Sequence, residues 1–176
     1  MTAYIALLRG INVGGHKAVP MARLAEIVVA AGGADVRTYI QSGNVVFAHQ
    51  AGEPALQADL ERQIADEFGF AVPVVLRTAA EMASVVDHNP YLGVEPTKLL
   101  VAFLAEPPPV ELADGIDRGA FGAEEFTVEG RQVYLHLPDG AGRSKLVPAL
   151  GRTLLRAPAT TRNWRTVETL LAMAAG

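Results

Sequence analysis

Hydrophobic residues follow two periodicities along the first half of the chain, and together they predict the order of its elements. Short apolar runs rich in β-branched residues are typical of strands, whereas apolar residues three and four apart are typical of helices. Residues 41–44 lie between two such runs, and their glycine favours a hairpin turn. The pattern predicts strands at 3–9, 36–40, 45–48 and 72–76 and helices at 20–31 and 53–68. It also predicts a helix through about Asp87, with Thr78 as its N-cap.

The second half repeats this order after a break at Asn89 and Pro90. The predicted strands lie at 99–104, 126–128, 133–137 and 159–164, and the predicted helices at 110–118, 145–155 and 167–174. Each half therefore has the order β-α-β-β-α-β of a ferredoxin-like, split βαβ unit. We predict an α+β fold of two tandem ferredoxin-like halves, 1–89 and 90–176, with antiparallel sheets and an extra helix after each half.

The predicted strands are apolar on both faces. In the first strand Tyr4, Ala6 and Leu8 point to one face, while Ile5 and Leu7 point to the other. An antiparallel sheet with one face in water would alternate polar and apolar residues instead. We therefore expect the face that the helices leave bare to be covered, either by the other half-sheet or by the partner in a homodimer.

The split βαβ order places a first group of candidate binding residues at one rim of the first sheet. It brings the end of the first strand close to the tip of the first hairpin. Two glycine-rich turns, amide side chains and cations at such a rim are suited to an anionic or carbonyl-bearing ligand. Alternatively, the glycines only shape turns and Asn12 caps a local bend. The candidate ligand-binding residues of this rim are Arg9, Asn12, Gly14, Gly15, Lys17, Gln41, Ser42 and Asn44.

A second group of candidates lies near the C-terminus, where residues 140–145 and 160–166 each precede a predicted helix. The N–H groups of a helix N-terminus, with serine and arginine beside them, favour a phosphate or carboxylate. Alternatively, the arginines form structural ion pairs with the acidic middle of the chain. Whether this cluster and the first rim form one site stays open. Its candidate ligand-binding residues are Arg143, Ser144, Lys145, Arg162, Asn163 and Arg165.

Charge is unevenly distributed along the chain, although the net charge is only −4. Residues 1–49 carry a net charge of +2, residues 50–139 of −11 and residues 140–176 of +5. Two basic ends indicate an anion-binding surface, unless the acids merely solvate exposed helices. The isoelectric point near 5.5 argues against a general nucleic-acid binder, which is usually strongly basic.

Several kinds of chemistry find no support in the residues. His16 occupies the place where a P-loop after Gly10 would need its lysine, and no Ser or Thr follows Lys17. The four histidines lie on separate elements without the spacing of metal ligands, so no metal site is predicted; the cofactor and the catalytic residues stay open. The chain has no cysteine, which excludes disulfides and thiolate catalysis. No apolar run reaches the roughly 20 residues of a membrane span, and we expect a cytoplasmic protein.

Four stretches of sequence resemble those of a known family. They are the run from Tyr4 to Gly15, with residues 19–21 after it, and residues 37–47, 144–146 and 161–166. In these motifs the chain resembles, over its whole length, the bacterial family catalogued as domain of unknown function 1697. The resemblance implies a small cytosolic protein with an α+β fold and no established activity or catalytic residues.

These observations give two functional expectations. The first is a site for a small phosphate- or carboxylate-bearing ligand, a nucleotide or a metabolite, at the glycine-rich rim. There Arg9 and the C-terminal cations would neutralise the ligand's charge and the amides would orient it. The alternative is a non-enzymatic interaction module, a dimeric regulatory or RNA-associated protein whose motifs serve packing. Whether the protein is an enzyme is left open.

Overall fold

Two four-stranded antiparallel sheets form the centre of the α+β fold in a computed structural model, which describes residues 1–156 and 158–176. The first sheet has the order β2-β3-β1-β4, in which β1 is antiparallel to both of its neighbours. Its strands are Thr2–Leu8 (β1), Ala34–Tyr39 (β2), Asn44–His49 (β3) and Val74–Thr78 (β4), and its helices are Met21–Ala30 (α1), Glu53–Phe68 (α2) and Ala79–Asp87 (α3).

The second sheet repeats this topology with the order β6-β7-β5-β8. Its strands are Leu99–Leu104 (β5), Glu125–Glu129 (β6), Gln132–His136 (β7) and Ala159–Asn163 (β8), and its helices are Val110–Asp114 (α4), Leu146–Gly151 (α5) and Trp164–Ala175 (α6). Both sheets therefore have the strand order and connections of a ferredoxin-like unit. The predicted fold of two tandem ferredoxin-like halves, each followed by a helix, is confirmed.

Local hydrogen bonds set several helix ends. Thr78 caps α3 as predicted: its hydroxyl accepts from the Glu81 N–H at 3.1 Å, and the Glu81 carboxylate accepts from the Thr78 N–H at 2.8 Å. Helix α6 begins at Trp164, earlier than the predicted residue 167, because the Asn163 side-chain oxygen accepts from the Thr166 N–H at 2.8 Å. Helix α4 was predicted to reach residue 118 but ends at Asp114.

Both faces of each sheet are buried. Tyr4, Leu8 and Phe47 pack with α1 and α2 in one apolar core, whereas Ile5 and Leu7, on the opposite face, have no exposed surface. In the second half, Tyr134 is fully buried, and its hydroxyl donates to the Val85 carbonyl of α3 at 2.6 Å. The apolar residues predicted on the second face are thus removed from water. Coverage by a homodimer partner stays a prediction.

The chain divides into two compact units, and the first unit is made of two separate stretches of sequence. The first unit comprises Met1–Ala83 and Thr169–Gly176, and the second comprises Ser84–Glu168. In the first unit the Arg37 guanidinium donates to the Met173 carbonyl of α6 at 2.6 Å. The domain bounds 1–89 and 90–176 stay a prediction. None of the helices in the described residues is both long enough and apolar enough to cross a membrane.

Candidate functional site

The end of β1 and the turn between β2 and β3 (residues 40–43) are neighbours, as predicted from the strand order. The Leu8 N–H donates to the Gly43 carbonyl at 2.9 Å. Gly43 has a φ of 87°, and a Cβ there would lie 2.8 Å from atoms of Leu8 and Ile11. The close approach therefore requires glycine, and it fixes the β2–β3 turn against the loop that leaves β1.

Residues 9–18, here called the glycine loop, contain a miniature hairpin. Val13 and His16 form an antiparallel bridge, in which the His16 N–H donates to the Val13 carbonyl at 3.0 Å. Between them Gly14 and Gly15 have φ values of 58° and 76°. Positive φ at both central residues is the requirement of a type I′ turn, which glycine meets without strain. The glycines therefore shape an exposed tip, at which Val13 is 65% exposed.

Asn12 holds the base of this hairpin. Its side-chain nitrogen donates to the Val19 carbonyl at 3.0 Å and to the Gln41 carbonyl at 2.8 Å, and its side-chain oxygen accepts from the Val19 N–H at 2.8 Å. Its φ of 54° lies in the left-handed region that asparagine tolerates better than most residues. The Asn12 amide is thus committed to joining the glycine loop to the β2–β3 turn.

Two further candidates of the first rim are also bonded inside the protein. Asn44 is fully buried, and its side-chain nitrogen donates to the Tyr39 carbonyl and to the Ser42 hydroxyl oxygen, both at 2.9 Å. Ser42 is half-buried, whereas the side chain of Gln41 is exposed. Asn44 and Ser42 therefore stabilise the turn, and Gln41 is the amide of this turn that faces water.

The cations of the first rim share one support, the segment of residues 70–73 before β4. The Arg9 N–H donates to the Pro73 carbonyl at 3.0 Å, and Lys17 Nζ donates to the Ala71 carbonyl at 3.1 Å. Lys17 Nζ also lies 5.9 Å from the centre of the Phe70 ring. In the described part of the chain, the exposed guanidinium of Arg9 has no hydrogen-bond acceptor.

In the C-terminal cluster, a carboxylate of the protein occupies the start of α5. The Glu124 carboxylate accepts from the Ser144 hydroxyl and, at 3.0 Å, from the Lys145 N–H. The Ser144 oxygen in turn accepts from the Val147 N–H at 3.0 Å. Glu124 therefore lies where the sequence predicted an external anion. Arg143 is exposed beside this cap.

The other candidates of this cluster lie at the far edge of the second sheet. Glu124 directly precedes β6, whereas Arg162 and Asn163 end β8, with β7 and β5 between those two edges. Arg162 is buried and donates to the Thr160 hydroxyl oxygen at 2.6 Å, and burial lowers its pKa to about 10. Asn163 caps α6, and Arg165 is exposed. Both groups nevertheless lie at the same rim of the sheet, since Glu125 and Leu99 pair with His136 and Leu100 pairs with Asn163. That they form one anion site stays a prediction.

Comparison with known proteins identifies the family. A family model described as "Protein of unknown function (DUF1697)" matches residues 1–134. The chain belongs to the DUF1697 family. A search of curated proteins found no match for this DUF1697 member. The structure of the conserved bacterial protein SP0830 from Streptococcus pneumoniae is similar, with a TM-score of 0.77 and 22% identity over 100% of this chain and 99% of that one. At this identity the likeness concerns the fold.

The sequence did not predict one further candidate region of this DUF1697 protein, the outer edge of β6. There the guanidinium carbon of Arg118 lies 3.8 Å from the centre of the Phe126 ring, and the hydroxyls of Tyr91 and Thr127 are hydrogen-bonded at 2.8 Å. No motif marks these residues; an acidic run beside a hairpin was the available signal. Among the described residues, no three His, Asp or Glu side chains are grouped to hold a metal ion.

Proposed function

We propose that the first rim, formed by the glycine loop and the β2–β3 turn, binds a small phosphate- or carboxylate-bearing ligand such as a nucleotide or metabolite. One observation carries the proposal: Arg9 is exposed in a loop whose glycines are also exposed, and its guanidinium has no acceptor among the described residues. An arginine fork of this kind matches carboxylate and phosphate geometry with two parallel hydrogen bonds.

The surroundings of Arg9 support an anion rather than a cation. Residues 9–17 contain Arg9 and Lys17 and no acid. In the described residues the N–H groups of Gly10, Gly14 and Gly15 donate to no acceptor of the protein. Because glycine has no side chain, an anion can approach these N–H groups closely, as it does at other glycine-rich turns.

The candidate residues then divide into two roles. The proposed ligand contacts are the residues that face water, namely Arg9, Lys17, Gln41 and the tip glycines. Asn12, Ser42 and Asn44 are positioning residues, since their hydrogen bonds fix the loop and the turn that present those contacts. A rim held in place before the ligand arrives loses less conformational entropy on binding.

The test is ligand-induced stabilisation of the full chain, measured as Tm with inorganic pyrophosphate, ATP and citrate as probes. We expect at least one probe to raise Tm, and Arg9→Ala to weaken its affinity by about 10- to 100-fold, the loss of a charge-assisted pair. Arg152→Ala is the matched control, because it removes the same charge from an exposed position of the second unit. Equal affinities of the two variants, or no Tm shift with any probe, would overturn the proposal.

The alternative function, an interaction module, is favoured by a different observation. Val13 and Ile40 are 65% and 49% exposed at the same rim, while Asn12 and Asn44 use their amides inside the protein. Exposed apolar side chains on turn tips are suited to a protein contact, including a homodimer. Sedimentation of wild type and of Val13→Asp tests whether this rim is a homodimer contact. A dimer that the substitution dissociates would support the contact, and a monomeric wild type would exclude the homodimer.

A further inference from the structure

The outer edge of β6 has backbone groups that point away from the second sheet. The Phe126 carbonyl accepts from the Arg118 guanidinium, so it faces away from β7. Backbone groups alternate in direction along an antiparallel strand, and the N–H and carbonyl of Val128 therefore face the same way. In the described part of the chain no strand pairs with this edge. Phe126 is only 2% exposed, so its outward groups can pair with another strand once the Arg118 guanidinium moves away.

Two cavities lie along this edge. The larger, about 490 Å³, is lined by β6 and by residues of α4 and the segment before it, including Pro108, Val110 and Asp114. The smaller, about 340 Å³, is lined by Tyr91, Phe121 and Glu125. Arg118, Phe126 and Thr127 line both, so the cavities form one interrupted groove, which we call the β6 groove.

The groove combines apolar walls with an acidic border. Val110 of α4, which lines the larger cavity, is 68% exposed although it is a large apolar residue. Residues 106–129 contain seven acids and one arginine. Asp114 lines the larger cavity and Glu125 the smaller, and both are exposed. The larger cavity thus offers one carboxylate beside apolar surface, and the smaller offers two, because Glu124 lines it as well.

We propose that the β6 groove binds an extended, basic peptide segment of a partner protein, which adds as a strand to β6. Its backbone pairs with the outward groups of Phe126 and Val128, its apolar side chains enter the cavities, and its Lys or Arg residues contact Asp114 and Glu125. Main-chain pairing supplies affinity in this mode, and pockets for alternate side chains supply specificity. Charge complementarity identifies the occupant, because an acidic strand or a nucleic acid would be repelled here.

Arg118 closes the groove when the peptide is absent. Its guanidinium covers the Phe126 ring and holds the Phe126 carbonyl, which protects the edge from unspecific pairing. The incoming strand replaces that hydrogen bond with one from its own N–H. The guanidinium remains charge-balanced by the acids around the groove.

The first experiment measures fluorescence polarisation of a labelled peptide of alternating Val and Lys with the full chain. We expect saturable binding that weakens with added salt, and no binding of the matched Val–Glu peptide. The double variant Asp114→Lys, Glu125→Lys is expected to lose at least tenfold in affinity. In the control double variant Glu95→Lys, Asp139→Lys, which changes two exposed acids outside the groove lining, affinity is expected to change less than threefold. Equal losses in the two double variants, or binding of the Val–Glu peptide, would overturn the proposal.

A second experiment tests the strand pairing itself. The same Val–Lys peptide with N-methyl groups on alternate amides lacks half of its donors, and we expect its affinity to fall at least tenfold. Unchanged affinity would rule out strand addition. In an NMR titration the amide signals of Phe126 and Val128 should shift on binding, whereas those of Gly14 and Gly15 should not. Arg9→Ala should bind the peptide like wild type, which separates this groove from the first rim.

Discussion

The two sheets share one strand order, yet the connections that leave their first strands differ. After β1 comes the glycine loop, followed by the ten-residue helix α1. After β5 comes a connector of three prolines, Pro107–Pro109, followed by the five-residue helix α4. The strand order and direction are the same in both sheets, whereas these connections determine which groups each unit exposes.

The difference extends to charge. The glycine loop exposes two cations and, in residues 9–17, no acid, whereas residues 106–129 carry seven acids and one arginine. Loops vary on a conserved framework more easily than strands do, because few core contacts depend on them. One scaffold used twice thus presents a basic loop in the first unit and an acidic surface in the second.

The largest expected loss of stability comes from the β2–β3 turn, which packs closely against the end of β1 in the first unit. Gly43→Ala places a Cβ 2.8 Å from atoms of Leu8 and Ile11, at a φ of 87°. The combination of backbone strain and overpacking should lower the free energy of unfolding by about 3 kcal/mol. Urea denaturation followed by circular dichroism measures this loss.

Two glycines of the second unit serve as controls for that substitution. Gly130, in the β6–β7 turn, has a φ of 57° but no neighbour closer than 3.8 Å, so Gly130→Ala should lower the unfolding free energy by about 1 kcal/mol. A Cβ at Gly142 would meet no atom within 4 Å, and its φ is ordinary, so Gly142→Ala should change the unfolding free energy by less than about 0.5 kcal/mol. A Gly43→Ala variant no less stable than Gly130→Ala would contradict the close packing of the first rim.

The next effect concerns the fastening of the glycine loop. Asn12→Ala removes three side-chain hydrogen bonds and leaves the backbone groups of Val19 and the carbonyl of Gln41 without these partners. The expected loss of unfolding free energy is about 2 kcal/mol, again measured in urea. Gln41→Ala is the control: the Gln41 carbonyl that Asn12 uses belongs to the backbone, so this variant should match wild type within about 0.5 kcal/mol.

The smallest effect is a pH dependence in the second unit. Burial raises the pKa of Tyr134 above its usual value, so above about pH 10 the unfolded chain ionises first and stability falls as the pH rises. The lowered pKa of Arg162 acts in the opposite direction over the same range. The effect of Arg162 is the same in wild type and in Tyr134→Phe, so it cancels when the unfolding free energies of the two proteins are compared. We expect the unfolding free energy of wild type to fall more steeply between pH 9 and 11; parallel curves would contradict the assignment.

The element order and the neighbouring turns of the first rim could be predicted from the sequence, because hydrophobic period and split βαβ topology determine them. The run 99–104 and the helix 53–68 have the predicted bounds. Thr78 was recognisable as a cap because a serine or threonine before a helix satisfies its first N–H groups. These are local signals that tertiary packing leaves unchanged.

The use of individual polar side chains could not be predicted in the same way. The amide side chains of Asn12 and Asn44 are of a type that suits a ligand site. Their actual partners are backbone carbonyls that only the fold brings close. Glu124 reaches Lys145 across 21 positions of the chain, which no short motif reveals. Arg162 looked like part of an exposed basic run, although strand alternation places it on the same face as the buried Thr160.

The hydrogen bond between Arg37 and Met173 joins residues 136 positions apart, and residues 169–176 belong to the same compact unit as the first strand. During synthesis the first unit therefore emerges early but gains its last segment only after β8 has been made. Contacts of such wide separation slow folding, because a long stretch of chain must be ordered before they form. The synthesis of the first unit therefore begins before that of the second unit but is completed after it.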